Sequence, residues 1–177
     1  MITELAQLLI NGVLAGTQLA VPAIGFTTIY AVLRYLNFAV ASHATIGAYA
    51  GFVANVWWGW PAPLALLMAF VGAGAFGLVT DEIALRRLRP AGPLTVAIAS
   101  VALLIVLENM VRFAFGNDLR GYDLPVLRDW HVAGLRVGPQ QLENAAAALL
   151  AMAVLFAFLA FTRTGKIMRA VADNPML

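Results

Sequence analysis

Four long runs of this sequence contain no charged residue, and no other feature limits its possible folds so strongly. The runs cover residues 5–33, 35–80, 90–107 and 144–162. An α-helix needs about 20 apolar residues to cross the roughly 30 Å hydrocarbon layer of a bilayer. The first, third and fourth runs each have room for one such helix, and the second has room for two. The sequence therefore predicts an all-α, polytopic membrane helical bundle with about five transmembrane helices.

The composition supports a membrane protein and excludes several other classes. Only 11% of the residues are charged, whereas soluble domains carry about 25%. The net charge of +2 would suggest nucleic acid binding in a soluble protein. Membrane topology explains the basic residues better, so no nucleic acid partner is expected. Cysteine is absent, which excludes thiolate metal sites, disulfides and cysteine nucleophiles.

Charges, prolines and aromatic residues bound the five predicted spans. The spans are Leu5–Leu33, Leu36–Trp57, Leu64–Ile83, Leu94–Phe113 and Leu142–Phe161. Tryptophans at 57, 58 and 60 lie beside two prolines and predict an interfacial aromatic belt after the second span. Residues 115–141 are polar and rich in glycine, which predicts a loop with a short helix or a hairpin. The first span lacks a basic N-terminal region, so we expect it to be retained and not cleaved as a signal peptide.

The basic residues of the connecting segments predict the orientation of the chain, since cytoplasmic loops carry an excess of Lys and Arg. With the N-terminus outside, the cytoplasmic segments contain Arg34, Arg86, Arg87, Arg89, Arg163, Lys166 and Arg169. The external segments then contain Arg112, Arg120, Arg128 and Arg136. This excess on one side favours an N-out, C-in topology.

Polar side chains inside the predicted spans are the candidates for a solute path, because lipid cannot form hydrogen bonds with them. The candidates are Asn11, Gln18, Asn37, His43 and Asn109. For His43 an interhelical hydrogen bond is the alternative role. Glu108 and Arg112 have the spacing of a helical ion pair, and they either form that pair near the outer interface or line the path.

Glycines at four-residue spacing predict close packing of helices. Gly12 with Gly16 and Gly47 with Gly51 have this spacing, which lets helix backbones approach each other in lipid. The third predicted span contains three further glycines, at positions 72, 74 and 77. Shaping of a solute path is the alternative role for all of them.

Catalysis has little support in the sequence. Ser42 and His43 are neighbours, and neighbours on a helix point about 100° apart, so they cannot serve as a nucleophile and base on one face. His131 lies in the predicted outer loop. The spans hold too few His and carboxylate ligands for a metal site, and Thr164-Gly165-Lys166 lacks the flanking residues of a phosphate-binding loop. We therefore expect no enzymatic activity, no metal and no cofactor.

Six segments resemble the branched-chain amino acid permeases of ABC transporters. They are Asn11–Gly16, Ile24–Ala39, Ile46–Tyr49, Glu82–Pro90, Leu107–Asn109 and Thr164–Asn174. The first three resemble the first two spans of that family, and the next two are similar to its middle. The last segment resembles the cytoplasmic loop that docks on the ATPase.

The resemblance implies a permease subunit of a bacterial ABC importer, a multi-pass protein of the inner membrane. Its solute would be a branched-chain or related amino acid, or urea or a short amide. The resemblance also implies a single transmembrane domain over residues 1–177, lying in a lipid bilayer. The expected partners are ABC ATPase subunits that hydrolyse ATP, a second permease subunit and a periplasmic substrate-binding protein. In the docking segment 163–177 the expected coupling residues are Gly165, Lys166, Arg169, Ala170 and Asp173.

The docking segment also has a physical rationale of its own. Gly165 is expected to turn the chain out of the membrane helix and into a short helix. Arg163, Lys166 and Arg169 repeat every three residues on one face of that helix, and the apolar residues between them could occupy a groove of a partner. A basic helix lying on anionic headgroups fits the charge equally well.

The sequence departs from the family in two places. Val40-Ala41 follow the Asn-Phe-Ala triplet where the family has His-Gly, and the histidine comes about one helical turn later, as His43. The family's permeases continue with further spans after the docking loop, so we expect this chain to be the N-terminal portion of a longer fold. The alternatives are a self-sufficient channel or secondary transporter that forms a homo-oligomer, and a scaffold or non-functional fragment.

Overall fold

The computed structural model describes residues 2–125, 128, 130–132 and 135–173. Its elements in chain order are α1 (Ile2–Leu33), α2 (Val40–Phe52), α3 (Ala62–Thr80), α4 (Arg86–Leu88), α5 (Pro93–Phe115), β1 (Trp130–Val132), β2 (Leu135–Val137), α6 (Pro139–Phe161) and α7 (Arg163–Asp173). A π-helical turn over Val53–Trp57 extends α2, and a second one over Asp81–Leu85 joins α3 to α4. A 3-10 turn over Arg89–Ala91 follows α4. The predicted all-α fold is confirmed.

Within the described residues, four helical segments are long and apolar enough to cross a membrane. They are Thr3–Leu33, Ala62–Ala91, Pro93–Phe115 and Pro139–Phe161. They coincide with the first, third, fourth and fifth predicted spans, and the chain is thus a multi-pass membrane protein. The second predicted span forms α2 and its π-helical extension, which begins at Val40 and not at Leu36. Arg34 adopts a left-handed φ of 57°, which ends α1, and residues 34–39 between the two helices are not helical.

The described chain divides into two compact units, and the first consists of Met1–Leu33 together with Pro125–Leu177. In this unit α1 packs on α6, and α7 packs on both helices. The two strands form an antiparallel hairpin in which Trp130 pairs with Val137. Gln7 holds this hairpin to α1, since its Nε2 donates to the Arg136 carbonyl at 2.8 Å and its Oε1 accepts from the Arg136 amide at 2.8 Å. The loop predicted over 115–141 therefore contains a hairpin.

The second unit, Arg34–Leu124, is organised by the close packing of α2 on α3. A Cβ atom at Gly47 would lie 2.7 Å from the Ala69 carbonyl oxygen, and one at Gly51 would lie 2.9 Å from the Ala65 carbonyl oxygen. Real Cβ contacts are essentially never this short, so only glycine permits this approach of the two backbones. The predicted packing role is confirmed for Gly47 and Gly51. A Cβ at Gly12 or Gly16 of the first unit would meet no atom within 4 Å.

Buried hydroxyl groups attach α5 to the rest of the second unit. The Ser100 Oγ accepts from the Phe38 amide at 3.0 Å, and the Ser42 Oγ donates to the Leu104 carbonyl at 3.2 Å. Both serine side chains are almost fully buried, so these bonds form where water cannot compete. Tyr35, Leu85 and Val96 form an apolar cluster in the same unit, against which Ala99 and Leu103 of α5 pack.

Candidate coupling helix and translocation residues

The helix α7 begins at Arg163 because Thr162 interrupts α6. Thr162 is extended, with φ −83° and ψ 154°. Its Oγ1 donates to the Phe158 carbonyl at 2.6 Å and accepts from the Gly165 amide at 3.0 Å. A threonine that accepts from the third residue of the following helix is an N-cap. The chain therefore turns at Thr162, and the prediction that Gly165 makes this turn is wrong.

Gly165 is instead the point where α7 contacts the backbone of α6. It is buried inside α7, and a Cβ atom there would lie 2.5 Å from the Leu159 Cα and 2.8 Å from the Leu159 carbonyl oxygen. The Phe158 carbonyl oxygen is also in direct contact with that position. Any larger residue would push α7 away from α6, so the glycine is required for close approach and not for a turn.

The other predicted coupling residues lie together on the exposed side of α7. Lys166, Arg169, Ala170 and Asp173 are all exposed, and their spacing of three, one and three residues places them on one helical face. The Arg169 Nη2 donates to the Ala160 carbonyl of α6 at 3.4 Å. Residues 174–177, the end of the predicted docking segment, lie outside the described residues. The face is thus mixed in charge and open to a partner.

Two of the predicted path residues lie on α1 of the first unit. Asn11 is exposed and its Oδ1 accepts from the Gln7 Nε2 at 3.0 Å. It lines a cavity of about 810 Å³ between α1, the hairpin and the start of α6, together with Glu4 and Gln141. Gln18 is exposed two turns further along α1 and does not line this cavity.

The other three predicted path residues are in the second unit and do not come together. Asn37 is buried, and its Oδ1 accepts from the Ala39 amide at 3.1 Å, just before α2 begins. His43 is half-buried, and its Nε2 lies 2.7 Å from the Thr80 Oγ1 of α3. Asn109 is exposed on α5, and its Nδ2 donates to the Ile105 carbonyl at 2.7 Å.

The contact of His43 with Thr80 is the interhelical hydrogen bond that was the alternative to a path role. The Thr80 Oγ1 lies 3.0 Å from both the Phe76 and the Gly77 carbonyl oxygens. A hydroxyl has one proton, and a threonine inside a helix gives it to a carbonyl one turn back. With that proton given to a carbonyl, the hydroxyl can accept a hydrogen bond from His43.

Several ion pairs lie in the second unit, the longest of those described being Arg120 with Asp118 at 4.0 Å. Arg89 binds Asp81 and Arg86 binds Glu82, each with a shortest distance of 2.6 Å. The predicted pair of Glu108 with Arg112 is confirmed, but its atoms are 3.6 Å apart. Among the described residues, no three His, Asp or Glu side chains are close enough to share a metal ion.

Sequence reasoning missed a polar attachment of the loop that follows α5. The Asn55 Nδ2 donates to the Trp60 carbonyl at 2.9 Å, and its Oδ1 accepts from the Asp123 amide at 2.7 Å. The Tyr122 Oη donates to the Ala48 carbonyl at 2.7 Å, and burial raises the pKa of the Tyr122 hydroxyl. An isolated asparagine in an apolar segment was the available indication, since a buried amide needs partners.

Comparison with known proteins places these features in one class of membrane protein. Residues 8–177 match a family described as the permease component of branched-chain amino acid transport systems. The chain is 28% identical to the high-affinity branched-chain amino acid transport system permease protein BraD of Pseudomonas aeruginosa. It is 29% identical to LivH of Escherichia coli K12 and 30% identical to LivH of Salmonella typhimurium, which carry the same description.

These similarities cover nearly all of this chain but only part of the relatives. In each comparison 95% of this chain is aligned with 59% of the relative. The chain therefore spans less than two thirds of the length of the curated relatives it matches. No solved structure shows significant similarity to it.

Proposed function

Because the chain belongs to the branched-chain amino acid transport permease family, we propose that it acts as a permease subunit of a bacterial ABC importer in the inner membrane. The relatives are named as high-affinity branched-chain amino acid permeases, so the proposed solutes are branched-chain or related amino acids, with urea and short amides as further possibilities. The chain is then a transport subunit and not an enzyme, and separate ATPase subunits hydrolyse ATP. A second permease subunit and a periplasmic substrate-binding protein complete the proposed assembly.

The geometry of α7 is the observation that carries this proposal. A short helix with charged and apolar residues on its exposed side is a suitable surface for a partner's groove. Lys166, Arg169, Ala170 and Asp173 form such a surface, and the Thr162 cap fixes where it begins. We propose that this surface docks on the ATPase.

Gly165 supplies the mechanical link in the proposed mechanism. No side chain separates α7 from the backbone of α6 at this position, so a displacement of α7 is transmitted to α6 and is not absorbed by rotamer changes. ATP-driven closure of the ATPases would thereby shift the permease between inward-open and outward-open states. Asn11 and Gln18 lie on α1, which also packs against α7, and we propose that they line the moving path.

For the second unit the proposed path role is kept for Asn109, which is exposed on α5. Asn37 and His43 also remain path candidates, but Asn37 is buried and bonded to the Ala39 amide and His43 is bonded to α3, whereas the exposed Asn109 is bonded within its own helix. A contribution from them would require those hydrogen bonds to open during transport. Replacing Asn109 by alanine is therefore expected to impair uptake more selectively than replacing Asn37, which would also disturb the start of α2.

The docking proposal is tested by reversing charge on the exposed face of α7. The double variant Lys166→Glu with Arg169→Glu is expected to lose most of the ATPase that co-purifies with the chain from native membranes in mild detergent. Co-purifying ATPases are identified by mass spectrometry through their phosphate-binding loop sequences. The matched control is Arg86→Glu with Arg87→Glu, which changes the charge equally on exposed residues predicted to be on the same side of the membrane.

Two results would contradict this proposal. Unchanged ATPase recovery with the double variant of α7 would show that this face is not the docking surface. Solute uptake into liposomes by the purified chain alone would instead support a self-sufficient channel or transporter, because an ABC permease requires its ATPase and binding protein.

A further inference from the structure

Two neighbouring cavities at the end of α5 share Arg112 and Asn117 in their linings. The first has a volume of about 250 Å³ and contains the acidic side chains Glu108 and Asp118. The second is an open groove of about 770 Å³ on the exposed face of α5, and most of its lining is apolar. A ligand that fits both cavities has a charged part and a long apolar part, joined near Arg112.

The groove contains a row of exposed apolar side chains along α5. Val106, Met110 and Phe113 are four and three residues apart, which places them on one helical face. Each is more than half exposed, and Phe113 is 95% exposed. On a membrane-spanning helix such a face is covered by lipid chains or by another protein. Asn109 lies in an adjacent row, where its Nδ2 is bonded to the Ile105 carbonyl, so its proposed path role does not depend on what covers the apolar row.

The end of α5 lies at the level of lipid headgroups. The apolar span ends at Phe115, and the Trp57 ring packs beside the Phe115 ring with centroids 6.0 Å apart. Trp57 is 65% exposed, and tryptophan is enriched at the interface between membrane and water. Arg112 is about one turn before Phe115, so its guanidinium group can reach the headgroups while its apolar stem stays beside the acyl chains.

The charges at this level match a headgroup with one phosphate and one ammonium group. The Arg112 Nη2 is 3.6 Å from the Glu108 Oε2, which is longer than an N–H···O hydrogen bond. The guanidinium group therefore keeps donors for a phosphate, which it can bind through two parallel hydrogen bonds. Glu108 and Asp118 can accept from an ammonium group. Arg120 lies 4.0 Å from Asp118, so the four charges cancel and give no excess attraction for an anionic headgroup.

We propose that the two cavities together bind one zwitterionic phospholipid with a primary ammonium group, of the phosphatidylethanolamine type, in the leaflet that the predicted topology places outside. Its phosphate binds Arg112 and Asn117, its ammonium group binds Glu108 and Asp118, and one acyl chain lies along the row that ends at Phe113. We favour a lipid over a second copy of the chain, because a second copy on the apolar row would leave the adjoining acidic cavity unused. The inference goes beyond transport and does not depend on an ATPase.

Native mass spectrometry of the purified full chain tests the proposal. Lipids are titrated in detergent, and the dissociation constant of the first bound lipid is measured for phosphatidylethanolamine, phosphatidylcholine and phosphatidylglycerol with identical acyl chains. The quaternary ammonium group of phosphatidylcholine has no N–H to donate, and phosphatidylglycerol has no ammonium group. Phosphatidylethanolamine is therefore expected to bind about five-fold more tightly than either, which is the upper range for exposed charge contacts.

Variants assign each part of the lipid to its residues. Glu108→Gln combined with Asp118→Asn is expected to reduce phosphatidylethanolamine affinity to that of phosphatidylcholine and to leave phosphatidylcholine binding unchanged. Arg112→Gln is expected to weaken both lipids about three- to five-fold, because both carry the phosphate. Phe113→Ala is expected to weaken all three lipids alike, since it removes acyl-chain contact and no charge.

The chain offers two matched controls. Glu82→Gln combined with Arg86→Gln removes a pair of the same spacing whose atoms are 2.6 Å apart, so its arginine is already occupied by its own carboxylate. Asn109→Ala changes the row beside the proposed acyl chain. Both variants are expected to keep the preference for phosphatidylethanolamine, and size-exclusion elution with the thermal unfolding midpoint shows whether each variant is folded.

Three results would overturn the proposal. The first is equal affinity of the wild-type chain for phosphatidylethanolamine and phosphatidylcholine, a comparison that decides the matter even where a variant does not fold. The second is competition by soluble glycerophosphoethanolamine as strong as that of the whole lipid, which would assign the charges to a free headgroup and leave the groove without a role. The third is a dimer that forms without bound lipid and is lost in Phe113→Ala, which would assign the apolar row to a second copy.

Discussion

At the scale of single residues, the role of Gly165 differs most from the prediction, because the sequence indicated a turn and the structure shows a close contact between helices. A Cβ atom there would meet the Leu159 Cα at 2.5 Å, and backbone cannot yield as a flexible side chain does. Gly165→Ala is therefore expected to lower the free energy of unfolding by about 1–3 kcal/mol, the usual cost of overpacking. The measurement is the change in thermal unfolding midpoint in detergent, together with proteolysis of α7.

Gly12→Ala is the control, because no loss of stability is expected for it. A Cβ at Gly12 meets no atom within 4 Å, and alanine in a helix is more favourable than glycine by roughly 0.5–1 kcal/mol. This variant is expected to be neutral or slightly more stable. If Gly165→Ala behaved in the same way, the contact between α7 and α6 would not be as close as described, and the proposed mechanical link would fail with it.

At the scale of elements, the loop after α5 is held by the Tyr122 and Asn55 hydrogen bonds rather than by packing alone. Tyr122→Phe removes the donor to the Ala48 carbonyl while keeping the ring beside Phe52. A typical net loss of about 1 kcal/mol is expected to speed hydrogen exchange of the Asp123 amide roughly five-fold, because that amide is bonded to Asn55 in the same attachment.

The pH dependence of this attachment follows from the pKa of Tyr122. Burial raises that pKa above its ordinary value of about 10, so the folded state favours the protonated hydroxyl. The attachment is then fully present below pH 10 and is lost as the pH rises further.

Tyr30→Phe, at an exposed tyrosine of α1, is the control for Tyr122→Phe. Equal exchange of the Asp123 amide in these two variants would contradict a structural role for the Tyr122 hydroxyl.

The membrane helices could be predicted because their cause is local. A long apolar run without charged residues is sufficient to predict a membrane span. Such runs predicted the four helical segments, and most of the predicted ends lie within a few residues of the observed ones. The start of α2 could not be predicted, because it depends on the left-handed Arg34 and on the Ser100 bond to the Phe38 amide. Threonine is a favoured N-cap residue, so the sequence was compatible with a turn at Thr162. It did not decide the matter, because a glycine three residues later is compatible with both a turn and a close contact between helices.

The surroundings of Glu108 and Arg112 were predictable only in part. The spacing of Glu108 and Arg112 predicted their ion pair, but not its 3.6 Å separation. Thr45 and Tyr49 are more than 50 positions away in the sequence, and only the packing of the second unit brings them to the same cavity. The position of such residues depends on tertiary contacts that carry no local pattern.

At the scale of the whole molecule, the distribution of basic residues makes a prediction about the two sides of the membrane. Seven Lys and Arg residues are predicted inside and four outside, and this excess favours the C-terminal helix α7 in the cytoplasm. An ATPase can reach Lys166 only in that orientation. The topology is therefore a requirement of the proposed docking and is independent of the detailed geometry of α7.

The absence of cysteine makes this topology directly measurable, since each introduced cysteine is unique. Lys166→Cys is expected to resist a membrane-impermeant maleimide in intact cells and to react after permeabilisation. Leu119→Cys, at a fully exposed position in the loop after α5, is expected to react in intact cells and serves as the control for labelling. Both side chains are exposed, so a difference in labelling reports the side of the membrane and not burial. Labelling of Lys166→Cys from outside would place α7 beyond the reach of any cytoplasmic ATPase and would refute the importer proposal.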